Sequence, residues 1–232
     1  QLSQIRPGYV RALKNYLSVL ESRNALLRQD KLQGVSDFAN QLDAWDEQLA
    51  NAAVPIVRSR RWFLRELSEN SSREYAAISE NPDEPFSLFY AGPLAQSETP
   101  YEGMLNGLRR SREEDRRRMY TTFGPHRDDV SLQLFGKDLR AMGSQGQLRT
   151  AVLSMKLGEI RLIEKEMGES PTLLLDDVFS ELDAKRRNAL FKSAAPLQTF
   201  ITCTDRQDAA GAKADCFLQV TSTPEGTVLR RE

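Results

Sequence analysis

Nowhere in the 232 residues is there a Gly-x-x-x-x-Gly-Lys-Ser/Thr loop, and the only Gly-Lys pair, Gly136-Lys137, is followed by Asp138. That loop supplies the backbone N–H groups and the lysine that hold a nucleoside triphosphate. Its absence predicts no triphosphate hydrolysis by this chain alone. Histidine is almost missing, and His126, standing alone, excludes any chemistry that needs two. The two cysteines, Cys203 and Cys216, lack metal-ligand spacing and are expected to be buried structural thiols in a reducing compartment. No apolar run is long enough to span a membrane, and nothing near Gln1 resembles a secretory leader. An excess of either charge is lacking too. Lys and Arg number 32 against 33 Asp and Glu, for a net charge of −1, so any attraction to nucleic acid must come from local patches. Internal repeats, low-complexity segments and a sustained heptad register are also absent, which excludes a long coiled coil.

What is present describes a folded chain, 40% hydrophobic and 28% charged, long enough for one large or two small domains. Residues 1–120 read as mainly helical. Pro7 suits the first turn of a helix reaching about Leu32, with Leu13, Tyr16, Leu17, Leu20 and Leu27 as its apolar stripe and Gly34 as its end. A second helix starts near Ser36 or Asp37 and carries Phe38, Leu42, Trp45 and Leu49. Pro55 predicts a kink before the stripe resumes at Ile56, Phe63 and Leu67. A loop at Asn81–Pro85, a short strand at Phe86–Tyr90 and a helix from Tyr101 to Met119 follow. Residues 121–232 read as α/β: a strand over Asp129–Phe135, a turn at Gly136-Lys137 with a partner strand near Leu139, further strands at Leu173–Leu175 and Thr199–Thr202, and a closing hairpin around Pro224-Glu225-Gly226.

The stretch from Gly143 to Asp183 carries the chemistry. Ser144 with Gln147 three residues on is a capping box, so a helix starts there, with Leu148, Ala151, Val152, Met155, Gly158 and Leu162 on its inner face. Such a terminus offers unpaired N–H groups and the positive end of the helix dipole, which suits a phosphate. Pro171 precedes the apolar run Leu173–Leu175, which reads as a parallel strand buried on both faces. Asp176 and Asp177 follow at its carboxyl end, where open α/β sheets bind ligands, and they repel each other unless a cation or donors intervene. Asp183 is placed to cap a helix over Ala184–Ser193.

In this order, Gly143-Ser144-Gln145-Gly146-Gln147, Leu173–Asp177 and Ser180-Glu181-Leu182-Asp183 resemble the signature, Walker B and D-loop of an ABC-type ATPase head. With Tyr16–Leu27, Gly124-Pro125-His126-Arg127-Asp128-Asp129 and Thr202-Cys203-Thr204-Asp205, the chain resembles the RecF family of bacterial DNA-repair ATPases, relatives of SMC heads. The resemblance implies an α/β fold: a helical arm (lobe II) over 1–120, then the C-terminal half of an ABC ATPase head (lobe I) over 121–232. The missing Walker A loop and the start at Gln1 rather than Met lead us to expect a C-terminal portion of such a protein.

The resemblance also implies the cofactors ATP and Mg²⁺. Asp176 would hold Mg²⁺ through its water shell, and Asp177 would orient the attacking water. Ser144, Gln145, Gly146 and Gln147 would contact the nucleotide of a second protomer, with Ser180, Glu181 and Asp183 at that interface. Thr204 and Asp205 stand where a switch histidine is usual. The implied activity is slow, with ATP closing a homodimer on gapped DNA or double-strand/single-strand junctions. RecR, RecO and the RecA pathway are the implied partners, in the cytoplasm and without a membrane. The rival reading is an interaction module that does no chemistry itself.

Two basic stripes remain. Arg58, Arg61 and Arg65 share a helical face, as do Arg109, Arg112 and Arg116, and each is either a row of DNA phosphate contacts or a salt-bridged solvated face. Glu113, Glu114 and Asp115 interleave the second stripe, which makes the first the better DNA candidate. His126 is expected to be a hydrogen-bonded structural residue.

Overall fold

The computed structural model describes residues 2–79, 83–176, 182–205, 209, 211, 214–223 and 226–231. By chain compactness it divides into two units, Gln1–Ser170 and Pro171–Glu232. The first unit therefore runs past the arm boundary expected near residue 120 and includes the helix that follows Ser144.

In the first unit, a single turn α1 (Leu2–Ile5) precedes α2 (Pro7–Gln33), which opens on its proline and ends at Gly34. Helix α3 (Phe38–Ile78) runs 41 residues and continues through Pro55 as one element. A proline costs an interior helix about 3 kcal/mol. Here Ala52, Ala53, Ile56 and Val57 are buried on both sides of it, so packing carries the helix across. Strand β1 (Phe86–Ala91) leads to α4 (Pro100–Arg118), a short 3₁₀ turn at Pro125–Arg127 and β2 (Asp129–Leu134). β1 and β2 pair antiparallel, Phe86 opposite Leu134 and Ala91 opposite Asp129.

Phe135 and Gly136, at φ of 51° and 71°, form the two-residue turn into β3 (Lys137–Asp138). The one Gly-Lys pair thus belongs to a hairpin. The partner strand expected near Leu139 stops short of it, because Asp138 caps a turn of helix, α5 (Leu139–Met142), accepting from the Ala141 N–H at 3.0 Å.

Helix α6 (Gln145–Met167) packs along α3, and Gly158 sits at the crossing. A Cβ there would lie 2.8 Å from the backbone nitrogen of Ser71. The buried face of α6 is rotated from the expected one. Val152 is 56% exposed, whereas Thr150 and Ser154 are buried. Their hydroxyls donate to the carbonyls of Gly146 (2.8 Å) and Thr150 (2.7 Å), so two polar residues occupy positions that an apolar count passes over. Leu17, expected in the α2 stripe, is likewise exposed. One apolar cluster joins α2, α3 and α4 around Tyr16, Leu49, Ile56, Met104 and Leu108. A second joins α3, α6 and the sheet around Leu67, Tyr75, Phe86, Leu132 and Ala151.

In the second unit, β4 (Leu173–Leu175) and β5 (Thr199–Ile201) pair parallel across α7 (Ala184–Ala194), with Leu174 opposite Phe200. An antiparallel hairpin, β6 (Leu218–Thr223) with β7 (Gly226–Arg231), closes the chain. The expectation of a strand buried on both faces is not met. Among the described residues β4 pairs with β5 alone, Leu175 is turned inward, and Leu174 is 73% and Phe200 55% exposed. Cys203 and Cys216 are also exposed rather than buried, lying in the segments after β5 and before β6.

Candidate functional site

In the first unit the signature stretch folds as its residues dictate. The Ser144 hydroxyl accepts from the Gln147 N–H at 3.2 Å, and the Gln147 side-chain carbonyl accepts from the Ser144 N–H at 3.0 Å. The reciprocal box fixes Ser144, Gln145, Gly146 and Gln147 at the mouth of a 23-residue helix, with Ser144 and Gln145 exposed. It satisfies two of the N–H groups that a helix start leaves unpaired. The Gln147 amide also reaches Glu84 at 3.4 Å. Such a terminus presents positive partial charge and donors to an anion.

In the second unit, Asp176 leaves the carboxyl end of β4, exposed, and accepts a hydrogen bond from the Thr202 hydroxyl. The pairing is in register because the Leu173 N–H donates to the Gln198 carbonyl and the Thr202 N–H to the Leu175 carbonyl, both at 2.9 Å. Thr202 opens a stretch matched in the sequence, which gave it no role of its own. The signal for it was its position one step beyond a strand parallel to β4. Asp183 caps α7, accepting from the Arg186 N–H at 2.9 Å, and that bond together with the Arg186 guanidinium holds its carboxyl below the ordinary range. Thr204 and Asp205 follow β5 on the surface. Asp177, Ser180 and Glu181 lie outside the described residues. Among the described residues, no group of three or more His, Cys, Asp or Glu could hold a metal ion by itself.

The first basic stripe is only partly available. Arg61 donates to the carbonyls of Leu94 and Ser97, bracing the loop before α4, and Arg65 pairs with Glu66 at 3.3 Å. Arg58 is exposed. In the second stripe Arg109 stays at the surface, while acids from other helices take the other two. Arg112 pairs with Asp43 and Asp46 of α3, and Arg116 with Asp30 of α2 at 2.7 Å. The interleaved acids serve elsewhere: Glu114 accepts from Arg117 and Arg118, and Asp115 is buried.

Asp115 belongs to a polar centre that sequence reading missed. Arg23, fully buried, reaches Asp46 at 2.7 Å, Asp115 at 2.8 Å and the Thr121 hydroxyl at 2.8 Å. The signal was there: Arg23 continues the stripe Tyr16, Leu20, Leu27, Asp46 lies between Leu42 and Leu49, and Asp115 follows Leu108 by two turns. A buried charge on an apolar face must find a partner, and α3 and α4 each supply a carboxylate to Arg23 of α2. Beside it, His126 is a structural histidine, its Nδ1 2.6 Å from the Tyr16 hydroxyl and its Nε2 3.0 Å from the Thr121 carbonyl. The next residues bind the motif to α3 and β1, since Asp128 pairs with Arg60 at 2.7 Å and accepts from Tyr90.

No model of a described protein family matches the chain. The DNA replication and repair protein RecF of Herpetosiphon aurantiacus is 41% identical over 210 residues, covering 89% of this chain and 54% of that protein. RecF of Shouchella clausii is 38% identical over 241 residues, covering 100% of this chain and 63% of that protein. A solved structure of the recombination mediator protein RecF with ATP, in the RecFOR pathway, matches with a TM-score of 0.81 at 34% identity, over 94% of this chain and 57% of the other. The chain thus spans little more than half the length of the relatives it matches.

Proposed function

For a chain that belongs to the RecF family over the nine-tenths of its length that align, we propose the role of arm and signature-bearing part of a DNA-repair ATPase of the ABC type. In this reading Ser144, Gln145, Gly146 and Gln147 meet the γ-phosphate of a nucleotide held by a second protomer. Asp176 serves Mg²⁺, Asp177 orients the attacking water, and Ser180, Glu181 and Asp183 line the interface. Thr204 and Asp205 stand at the switch position, as candidates to sense the γ-phosphate. ATP closes the homodimer on gapped or junction DNA, and RecR, RecO and RecA act with it in the cytoplasm.

The observation that carries the proposal is the Asp176–Thr202 pair at the carboxyl end of two parallel strands, where α/β sheets take ligands. The fit to Mg²⁺ is reasonable. Asp176 is a hard oxygen donor, exposed, with one oxygen engaged by a neutral hydroxyl. Mg²⁺ commonly keeps several waters and takes one or two carboxylates together with substrate phosphates. When bound, it would neutralise phosphate charge. Thr202 would fix the carboxylate's orientation, and the capping box would hold the Ser144 hydroxyl and adjacent N–H groups in place before any nucleotide arrives.

No Walker A loop occurs in these residues, so the chain alone is expected to release no phosphate from ATP above an Asp176→Ala control. Its signature should still serve a nucleotide held elsewhere. Mixed with an ATP-binding RecF relative, the chain is expected to associate only when ATP is present, and Ser144→Arg should abolish the association. Sedimentation velocity reads this directly. Association independent of ATP, or unaffected by the substitution, would favour the non-catalytic interaction module.

A further inference from the structure

The carboxyl end of α4 uses its cations unlike the rest of the arm. Arg112 and Arg116 are drawn into ion pairs with α3 and α2. Arg109, Arg110, Arg117, Arg118 and Arg127 remain exposed, and the helix acids beside them are Glu113 and a Glu114 shared between Arg117 and Arg118. Positive charge is therefore in local excess on a chain whose net charge is −1.

The backbone gathers that excess. Met119 ends α4 in the left-handed conformation, φ 63° and ψ 24°, which is uncommon for a residue with a side chain. The reversal sets Tyr120 beside the helix it has just left. Its hydroxyl accepts from Arg118 at 3.1 Å, and the Arg127 guanidinium stands 5.2 Å over its ring. The hydrogen bond from Arg118, with the charge of Arg127 behind it, draws the phenol below its ordinary pKa. Arg110 lies on the same helical face as Arg117, about 10 Å away along the axis by helical rise.

We propose that Arg117, Arg118, Tyr120 and Arg127, extended by Arg110, form a docking surface for the phosphodiester backbone of DNA. The guanidinium groups take successive phosphates, and the tyrosine fixes two of them in place. Guanidinium forks match phosphate oxygens in pairs, and rows of them give affinity without reading sequence. The choice of DNA rests on the functional reading above. The surface itself lies wholly within the first unit and needs neither nucleotide nor a second protomer, which separates its test from that of the ATP-driven association.

The experiment is fluorescence anisotropy of a labelled duplex oligonucleotide with the full chain, without ATP, over about 50 to 200 mM salt. Wild type should bind with a steep salt dependence. Arg118→Gln/Arg127→Gln should weaken binding on the order of tenfold and flatten the slope of log K against log salt by about 1.8, two contacts at about 0.9 each. Both arginines are exposed, so the melting temperature should not move, and Arg118→Lys/Arg127→Lys should restore most of the affinity. Arg58→Gln/Arg65→Gln, on the stripe suggested by sequence, should leave binding unchanged. Absence of wild-type binding, wild-type affinity in the first double variant, loss in the Arg58/Arg65 variant instead, or displacement of DNA by polyglutamate at equal charge would each overturn the proposal.

Discussion

At the scale of single residues, His126 shows how a lone histidine is made structural. A carbonyl only accepts, so Nε2 carries the proton toward Thr121 and Nδ1 accepts from the Tyr16 hydroxyl. Burial favours the neutral ring and lowers its pKa from the ordinary 6.5, with Arg127 adding to that and the bond to Thr121, Asp128 and Asp115 opposing it. The unfolded chain then binds a proton more readily than the folded one between the folded pKa and 6.5. Stability should therefore rise with pH through that window and be lost as pH falls through it toward the folded pKa. Urea unfolding midpoints between about pH 7 and pH 5 test this: wild type should decline, and His126→Gln, though less stable at neutral pH, should decline less. Equal slopes would mean the histidine does not titrate differently on folding.

At the scale of elements, two contacts hold the first unit together and each predicts a cost. Arg23 joins α2 to Asp46 of α3 and Asp115 of α4 with all three side chains fully buried. Arg23→Met leaves Asp115 without its cation and Asp46 with only Arg112, and is expected to cost about 3–5 kcal/mol, the usual penalty for breaking a buried pair from one side. Chemical denaturation reads it, and a loss under about 1 kcal/mol would show that water reaches the acids. The second contact is the α3–α6 crossing at Gly158. Alanine there gains nearly 1 kcal/mol of helix propensity. It also places a Cβ against the Ser71 backbone, which cannot retreat as a flexible side chain would. Gly158→Ala is expected to destabilise by about 1–3 kcal/mol. Stabilisation would mean that the helices can separate at no cost.

At the scale of the whole molecule, the division at Ser170 is testable. Both apolar clusters described above, the buried Arg23 centre and the antiparallel sheet lie before it. Burial in the second unit is confined, among the described residues, to a few side chains such as Leu175, Leu182, Leu190, Ala194 and Leu197. A chain ended after Ser170 should keep its helical circular dichroism and unfold cooperatively near the main transition of the full chain. Collapse of that transition would show that the second unit supports the first.

Local chemistry was legible in the residues themselves. Pro7 and Gly34 bound a helix, Ser144 and Gln147 cap one, and Asp183 starts another, because each of these signals acts within a few residues. Burial and charge pairing were decided only by tertiary structure. Arg61 turned to loop carbonyls, Arg112 and Arg116 found acids on other helices rather than their own neighbours, and α6 rotated to bury Thr150 and Ser154. The open face of Leu174 and Phe200 belongs here as well. Periodicity says which side chains share a face, but what covers that face depends on elements distant in the chain, and no local pattern encodes them.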